Sequence, residues 1–74
     1  MTLQQLGQKL HEMYFESNKG VTVVMIHLFG IKYAHEIEES NASMKAIAKA
    51  AGIQESYGTE ISKGVKLAEF VTVK

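Results

Sequence analysis

The sequence of 74 residues contains no cysteine and no proline. The absence of cysteine excludes disulfide bonds and cysteine-ligated metal sites, and it fits a reducing compartment. Residues 1–10 lack the apolar core of a signal peptide, and the longest apolar-rich run, residues 21–31, is too short to span a bilayer. We therefore expect a cytoplasmic protein that does not enter a membrane.

Arginine is missing as well, so all eight basic residues are lysines, and eight acidic residues balance them to a net charge of zero. Proteins that bind nucleic acids ordinarily carry a basic excess, because neutralising phosphates supplies much of their affinity. Arginine also makes the commonest specific contact with guanine. Both absences count against nucleic-acid binding, which would then require an asymmetric distribution of lysines over the surface.

Hydrophobic residues make up 46% of the chain, which is ample for one core and argues against disorder. The length is near the lower limit at which a single core is self-sufficient. We therefore predict a single domain over residues 1–74.

Apolar residues recur with helical period, which predicts an all-α fold of four helices. Helix 1 covers residues 2–17, where Thr2 and Gln5 have the spacing of a capping box and Gly7 suggests a close approach. Helix 2 covers about 21–39, helix 3 about 43–51 and helix 4 about 55–70. Asn18, Lys19 and Gly20 are expected to end helix 1. Residues 71–74 alternate, which is typical of an extended piece and is compatible with pairing between subunits.

Helix 2 is the most ambiguous element. Its first residues are rich in valine, which favours a strand by propensity, whereas the continuation HLFGIKYAHEIEE has helical period. A helix over the whole segment is the preferred interpretation. Such a helix carries two apolar stripes and has to be covered on two sides.

Residues 43–61, SMKAIAKAAGIQESYGTEI, predict a short helix, a tight turn and a second helix. Ser43 is placed to cap the first of these helices, and Ile47 lies on its apolar face. Gly52 follows this helix directly, as expected of a residue that ends a helix with positive φ. Ile53 is the first apolar anchor after the turn, and Ile61 begins the stripe of the next helix.

This segment resembles the helix-turn-helix of bacterial repressors. The matched apolar, small and glycine positions are Ile47, Ala48, Ala51, Gly52, Ile53 and Ile61. Gly58 departs from the pattern, because those proteins usually carry a β-branched residue there. Over its whole length the chain is similar to small bacterial helix-turn-helix-like domain proteins without an assigned activity. The resemblance implies a tri-helical core of helices 2–4 with helix 1 packed across it, and it supplies no catalytic residue.

The candidate site is one face of helix 4, the side that enters the major groove in a helix-turn-helix. The side chains expected to contact nucleic acid are Lys45, Lys49, Ser56, Thr59, Lys63 and Lys66. Glu55 and Glu60 flank this face and oppose phosphate, whereas Leu67 and Phe70 at its far end suggest a protein contact. Two functions therefore stay open: a DNA-binding transcriptional regulator, and a protein–protein interaction or dimerisation module that binds no nucleic acid.

Other chemistry has little support in the sequence. The three histidines include no pair at i, i+4 spacing, which argues against a metal site, and His35 is expected to be partly buried and hydrogen-bonded. Glu36, Glu38 and Glu39 are interpreted as a solvated face. We expect no enzymatic activity, no cofactor, no metal and no small-molecule substrate.

Apolar side chains beyond those on the main stripes of the helices predict self-association. Phe15 lies off the stripe of helix 1, Phe29 lies at the edge of the main stripe of helix 2, and Phe70 opposes the stripe of helix 4. Helix 2 also has a second stripe. Soluble monomers rarely leave large apolar patches exposed, and a cyclic dimer is the commonest way to cover them. We expect a homodimer built on helix 2, helix 1 or the C-terminal tail.

Overall fold

The computed structural model describes residues 1–18 and 20–73. It contains five α-helices: α1 (Leu3–Phe15), α2 (Thr22–Lys32), α3 (Ala34–Ser40), α4 (Met44–Ala50) and α5 (Gly58–Leu67). A turn of 3₁₀ helix, Glu55–Tyr57, leads directly into α5. The described residues contain no strand. The predicted all-α class is confirmed.

Helix α1 begins with the predicted capping box. The Gln5 amide donates to Thr2 Oγ1 over 3.1 Å, and the Thr2 amide donates to Gln5 Oε1 over 2.8 Å. The helix ends at Phe15, two residues before the predicted boundary. Gly7 is the predicted point of close approach, because a Cβ built there would lie 2.6 Å from the Cβ of Ala50 in α4. Part of the expected turn, Lys19, lies outside the described residues.

The predicted second helix is in fact two helices. The segment is helical, so the preference for helix over strand is confirmed, but Tyr33 leaves the helical region at φ −110° and ψ 19° and separates α2 from α3. Ile37 of α3 lies in the same buried cluster as Ile26 and Phe29 of α2. Phe29 is fully buried in that cluster, so the expectation that it contributes to a dimer surface is wrong.

The segment from α4 to α5 has the predicted helix–turn–helix course. Ser43 Oγ accepts the Ala46 amide over 3.1 Å at the start of α4. After the helix, Gly52 takes the predicted positive φ of 80°, and the Ile53 amide returns to the Ala48 carbonyl over 3.1 Å. The amides of Gly52 and Ile53 donate to the Lys49 and Ala48 carbonyls, which the helix end would otherwise leave free, so the chain can reverse within a few residues.

The last helix is shorter than predicted. It ends at Leu67 rather than at residue 70, and residues 68–70 form turns in which the Phe70 amide donates to the Leu67 carbonyl over 2.9 Å. Residues 71–73 have no regular secondary structure. The predicted extended tail also includes Lys74, which lies outside the described residues.

Helices α2 and α5 cross at two facing glycines and form the most extensive helix–helix contact in the described chain. A Cβ on Gly30 would lie 2.8 Å from the Gly64 Cα, and one on Gly64 would overlap the carbonyl oxygen of His27. Only residues without a side chain let the two backbones approach this closely.

Helix α1 belongs to the core rather than lying across a core made by the later helices. It packs against both α2 and α4, and Leu6 and Leu10 are fully buried. The buried cluster consists of Leu6, Leu10, Ile26, Phe29, Ile37, Ile47, Ala48, Ala51 and Ile61. Within the described ranges, no helix combines the length and the apolar character needed to cross a bilayer.

The packing around Gly58 explains why this position departs from the repressor pattern. It is buried where the start of α5 meets the start of α4, and a Cβ there would lie 3.1 Å from the Lys45 amide nitrogen and 3.3 Å from the Met44 Cβ. Two of the nearest atoms belong to the α4 backbone. A β-branched side chain would therefore push the two helices of the motif apart.

Candidate functional site

The orientation of α5 decides which of its side chains reach the surface. Gly58, Ile61 and Gly64 face inward and are buried. Residues three or four positions apart lie on the same side of a helix, so Thr59, Lys63 and Lys66 share the opposite, exposed side. Ser56, in the 3₁₀ turn, is exposed as well.

A shallow groove lies between the start of α4 and the start of α5, with a volume of about 290 Å³. Its lining includes Lys45, Ser56 and Thr59, three of the predicted site residues, together with Glu55. Thr59 Oγ1 donates to the Ser56 carbonyl over 3.1 Å, which leaves the hydroxyl oxygen free to accept from a ligand. We call this the α4–α5 groove. Its lining includes one lysine, one glutamate and four hydroxyl side chains, because Ser43 and Ser62 line it as well as Ser56 and Thr59.

Lys63 is not a free cation. Its Nζ donates to Glu60 Oε2 over 3.1 Å, and the other carboxylate oxygen of Glu60 lies 2.7 Å from Nε2 of His27 in α2. The hydrogen bond from His27, followed by that from Lys63, lowers the pKa of the Glu60 carboxyl from its usual value. The sequence did not reveal this triad, since His27 and Glu60 are 33 residues apart and the pairing depends on the glycine crossing of α2 and α5.

A second groove lies at the other end of α5 and has a volume of about 380 Å³. We call it the end groove; it is lined by His27, Lys63, Lys66, Leu67 and Phe70. Phe70 is 80% exposed, more than any other large apolar side chain of the described residues. No carboxylate of the described residues lies within ion-pair distance of Lys66.

The six predicted residues therefore divide into three groups. Lys45, Ser56 and Thr59 meet in the α4–α5 groove, whereas Lys63 and Lys66 line the end groove. Lys49 is exposed in the last turn of α4 and lines neither groove. The structure places all six on the surface of the helix–turn–helix segment, but not as one continuous cluster.

Three further titratable residues, His35, His11 and Glu36, lie outside the two grooves. His35 is 81% exposed and pairs with Glu39 over 2.6 Å, so the prediction that it is partly buried is wrong. His11 instead bonds the Ala51 carbonyl through Nδ1 over 2.8 Å, which ties α1 to the end of α4. Because of the break at Tyr33, Glu36 lies in the first turn of α3, near a helix N-terminus. It is half-buried, so the prediction of a solvated face is wrong for this residue. The described part of the chain holds no group of three potential metal ligands.

Comparison with known families is consistent with this architecture. A family model described as an HTH-like domain matches residues 2–74. The match includes α1, α2 and α3 as well as the helix–turn–helix segment, so it covers all the helices described above. No curated protein and no solved structure gives a significant match to the chain.

Proposed function

Because the chain belongs to the HTH-like domain family, we propose that it is a single DNA-binding regulatory module whose helix α5 enters the major groove. The observation that supports this most directly is the segregation of charge along the chain. Residues 43–67 carry four lysines and two glutamates, whereas residues 1–42 carry three lysines and five glutamates. A neutral protein can bind a polyanion when its positive charges are gathered on one side.

The contacts in this proposal follow from the two grooves. Ser56 and Thr59 lie at the start of α5, the end of a recognition helix that contacts base edges. Lys45 borders the same groove from α4, and Lys49 is exposed on that helix, so both are positioned for the phosphate backbone on either side. Lys63 and Lys66 extend the contact along α5.

Glu60 opposes phosphate less than its sequence position suggests. Its carboxylate is held by His27 and Lys63, so its charge is partly neutralised within the protein. The same pairing restrains Lys63, which makes Lys63 a weaker phosphate ligand than Lys45. Glu55 is the one carboxylate that lines the α4–α5 groove.

The test is fluorescence anisotropy of a labelled, mixed-sequence duplex at two salt concentrations. We expect binding that weakens with salt, and Lys45→Ala should lower both the affinity and the salt slope, the slope by about 1. Lys9→Ala is the matched control, because Lys9 is exposed on α1, away from the segment. Glu60→Gln should instead tighten duplex binding and steepen its salt dependence, because it releases Lys63. No binding at low salt at concentrations on the order of 100 μM would contradict the proposal.

The second candidate function is a protein–protein interaction module without affinity for nucleic acid. The exposure of Leu67 and Phe70 favours it, because apolar side chains of this size gain most from contact with another protein. The duplex titration separates the two candidates, since only the first predicts a dependence on Lys45.

We further propose that the chain forms a homodimer through the start of α2. Val21, Val23 and Val24 are exposed there, and the sequence contains no lysine or glutamate from residue 20 to residue 31. An uncharged apolar surface can face a second copy of itself without repulsion, as a two-fold interface requires.

A further inference from the structure

We propose that the end groove binds an acidic, amphipathic peptide segment of a partner protein. The proposal goes beyond DNA binding, because it concerns the far end of α5 and holds whether or not the chain binds a duplex. The juxtaposition that carries it is an exposed phenylalanine and a leucine in one groove with Lys66, a lysine that has no carboxylate partner among the described residues.

The apolar part of the groove comes from the end of α5 and the turn after it. Leu67 is the last residue of the helix, and Phe70 follows in a turn held by the bond from its amide to the Leu67 carbonyl. The ring is thus presented by an ordered backbone, although its side chain has little contact with the core. An anchor residue of a partner would bury it at small entropic cost, which is typical of the residues that dominate protein interfaces.

The charged part of the groove is positive. Lys63 and Lys66 both line it and no carboxylate of the described residues does, while Glu60, the partner of Lys63, is shared with His27. Lys66 has no carboxylate of the described residues within 4.0 Å, so its charge is available to a ligand. A partner with carboxylates beside its apolar side chains would therefore find complementary charge at Lys66.

Both features together favour an acidic peptide over the other occupants. A DNA duplex would use the lysines but would leave most of the Phe70 ring without an apolar partner. A second copy related by two-fold symmetry would bring Lys63 and Lys66 towards their own counterparts. An amphipathic helix laid in the groove fills the apolar space and pairs the lysines.

The experiment uses the full chain and a fluorescein-labelled peptide of about 14 residues, with leucines at helical spacing and glutamates elsewhere. A control peptide has every glutamate replaced by glutamine. We expect the acidic peptide to bind with an affinity that falls with salt, and the glutamine peptide to bind at least about tenfold more weakly.

Protein variants locate the site. Phe70→Ala should weaken peptide binding about tenfold or more, whereas Phe15→Ala, which removes a ring that is 55% exposed on α1, should not. Lys66→Ala should weaken binding and reduce its salt dependence, with Lys9→Ala as its control. Lys45→Ala should leave peptide binding unchanged, although it should weaken duplex binding. Loss of duplex binding can therefore be told apart from loss of peptide binding. Circular dichroism checks that each variant is folded. We expect Phe70→Ala to fold, because the Phe70 side chain is exposed.

Three results would overturn the proposal. The first is equal binding of the acidic and glutamine peptides, or no binding at about 1 mM peptide. The second is a change of Phe70→Ala from dimer to monomer in sedimentation velocity, which would assign the groove to a second copy. The third is binding to vesicles of anionic lipid that depends on Phe70 while the peptide does not bind.

Discussion

At Glu60, side chains from two helices share one carboxylate. His27 reaches one oxygen from α2, and Lys63 reaches the other from the next turn of α5. The lysine side chain is 62% exposed and that of the glutamate only 21%, so the pair lies at the edge of the surface rather than in open solvent. The triad therefore joins α2 to α5 and at the same time limits what Lys63 can do.

The lowered pKa of Glu60 makes this triad a source of pH-dependent stability. A carboxyl whose pKa is lower in the folded than in the unfolded state stabilises the fold above its unfolded pKa, and this contribution is lost as the pH falls through the folded value. Glu60→Gln should therefore lower the free energy of unfolding at pH 7 and have little effect at acid pH, well below the usual glutamate value of about 4.3. Urea unfolding at several pH values measures this.

Glu39→Gln is the matched control, because Glu39 pairs with the exposed His35 over 2.6 Å on the surface of α3. Exposed pairs contribute little to stability, so this variant should change the unfolding free energy much less at pH 7. An equal loss in both variants, or a loss from Glu60→Gln that persists at acid pH, would contradict the role assigned to the triad.

The crossing glycines give a second prediction. Helix propensity alone predicts that Gly64→Ala stabilises α5 by about 1 kcal/mol. The added methyl group would instead meet the Gly30 Cα at 2.9 Å and the carbonyl oxygen of His27, both of them backbone atoms. We expect a net loss of about 1–3 kcal/mol in urea unfolding, as is usual for overpacking. A stabilised variant would mean that α2 and α5 can separate without cost.

At the scale of elements, the α4–α5 pair depends on Gly58. Gly58→Val would restore the β-branched residue that repressor-like motifs usually carry, yet its nearest contacts would be the Lys45 nitrogen and Met44 carbonyl carbon at 3.1 Å. We expect it to destabilise the fold by about 1–3 kcal/mol and Gly58→Ala by less, because only the former adds atoms beyond the Cβ. Thermal unfolding of both variants tests this, and equal stability of Gly58→Val and the parent chain would contradict it.

The helix ends were predicted well where they depend on residues that are close together in the sequence. The cap at Ser43, the positive φ of Gly52 and the capping box of α1 each involve neighbours in sequence, so the residue types alone indicate them. The break at Tyr33 left no such signal, because the residues around it contain neither proline nor a glycine with positive φ. It depends on how α3 packs against the rest of the core.

The candidate site was predictable as a face but not as a set of contacts. Helical spacing correctly placed Thr59, Lys63 and Lys66 on one exposed side of α5. The pairing of His27 with Glu60 and the meeting of Lys45 with Ser56 depend on how helices cross, which a single sequence does not specify. The same limit explains Phe29, which is buried in a core assembled from several helices.

At the scale of the whole molecule, charge and apolar surface are separated. The helix–turn–helix segment has a lysine excess, residues 1–42 have a glutamate excess, and the start of α2 has no lysine or glutamate. A two-fold dimer through the start of α2 would bury the exposed valines, and it would contain two copies of α5. Such dimers bind half-sites about one helical turn apart, so dimerisation would raise the affinity for DNA without requiring a larger net charge.

The dimer prediction is tested by placing a charge on this surface. Val24 is 52% exposed, so Val24→Glu should leave the fold intact while making a two-fold contact bring two carboxylates together. Sedimentation velocity at concentrations on the order of 100 μM should show a dimer for the parent chain and a monomer for the variant. Gln4→Glu, on the exposed side of α1, adds the same charge elsewhere and should remain dimeric.

If the interface positions the two α5 helices, Val24→Glu should also lose cooperative binding to a duplex while keeping its Lys45-dependent salt slope. A monomeric parent chain would contradict the dimer and leave single-site binding as the mode to examine.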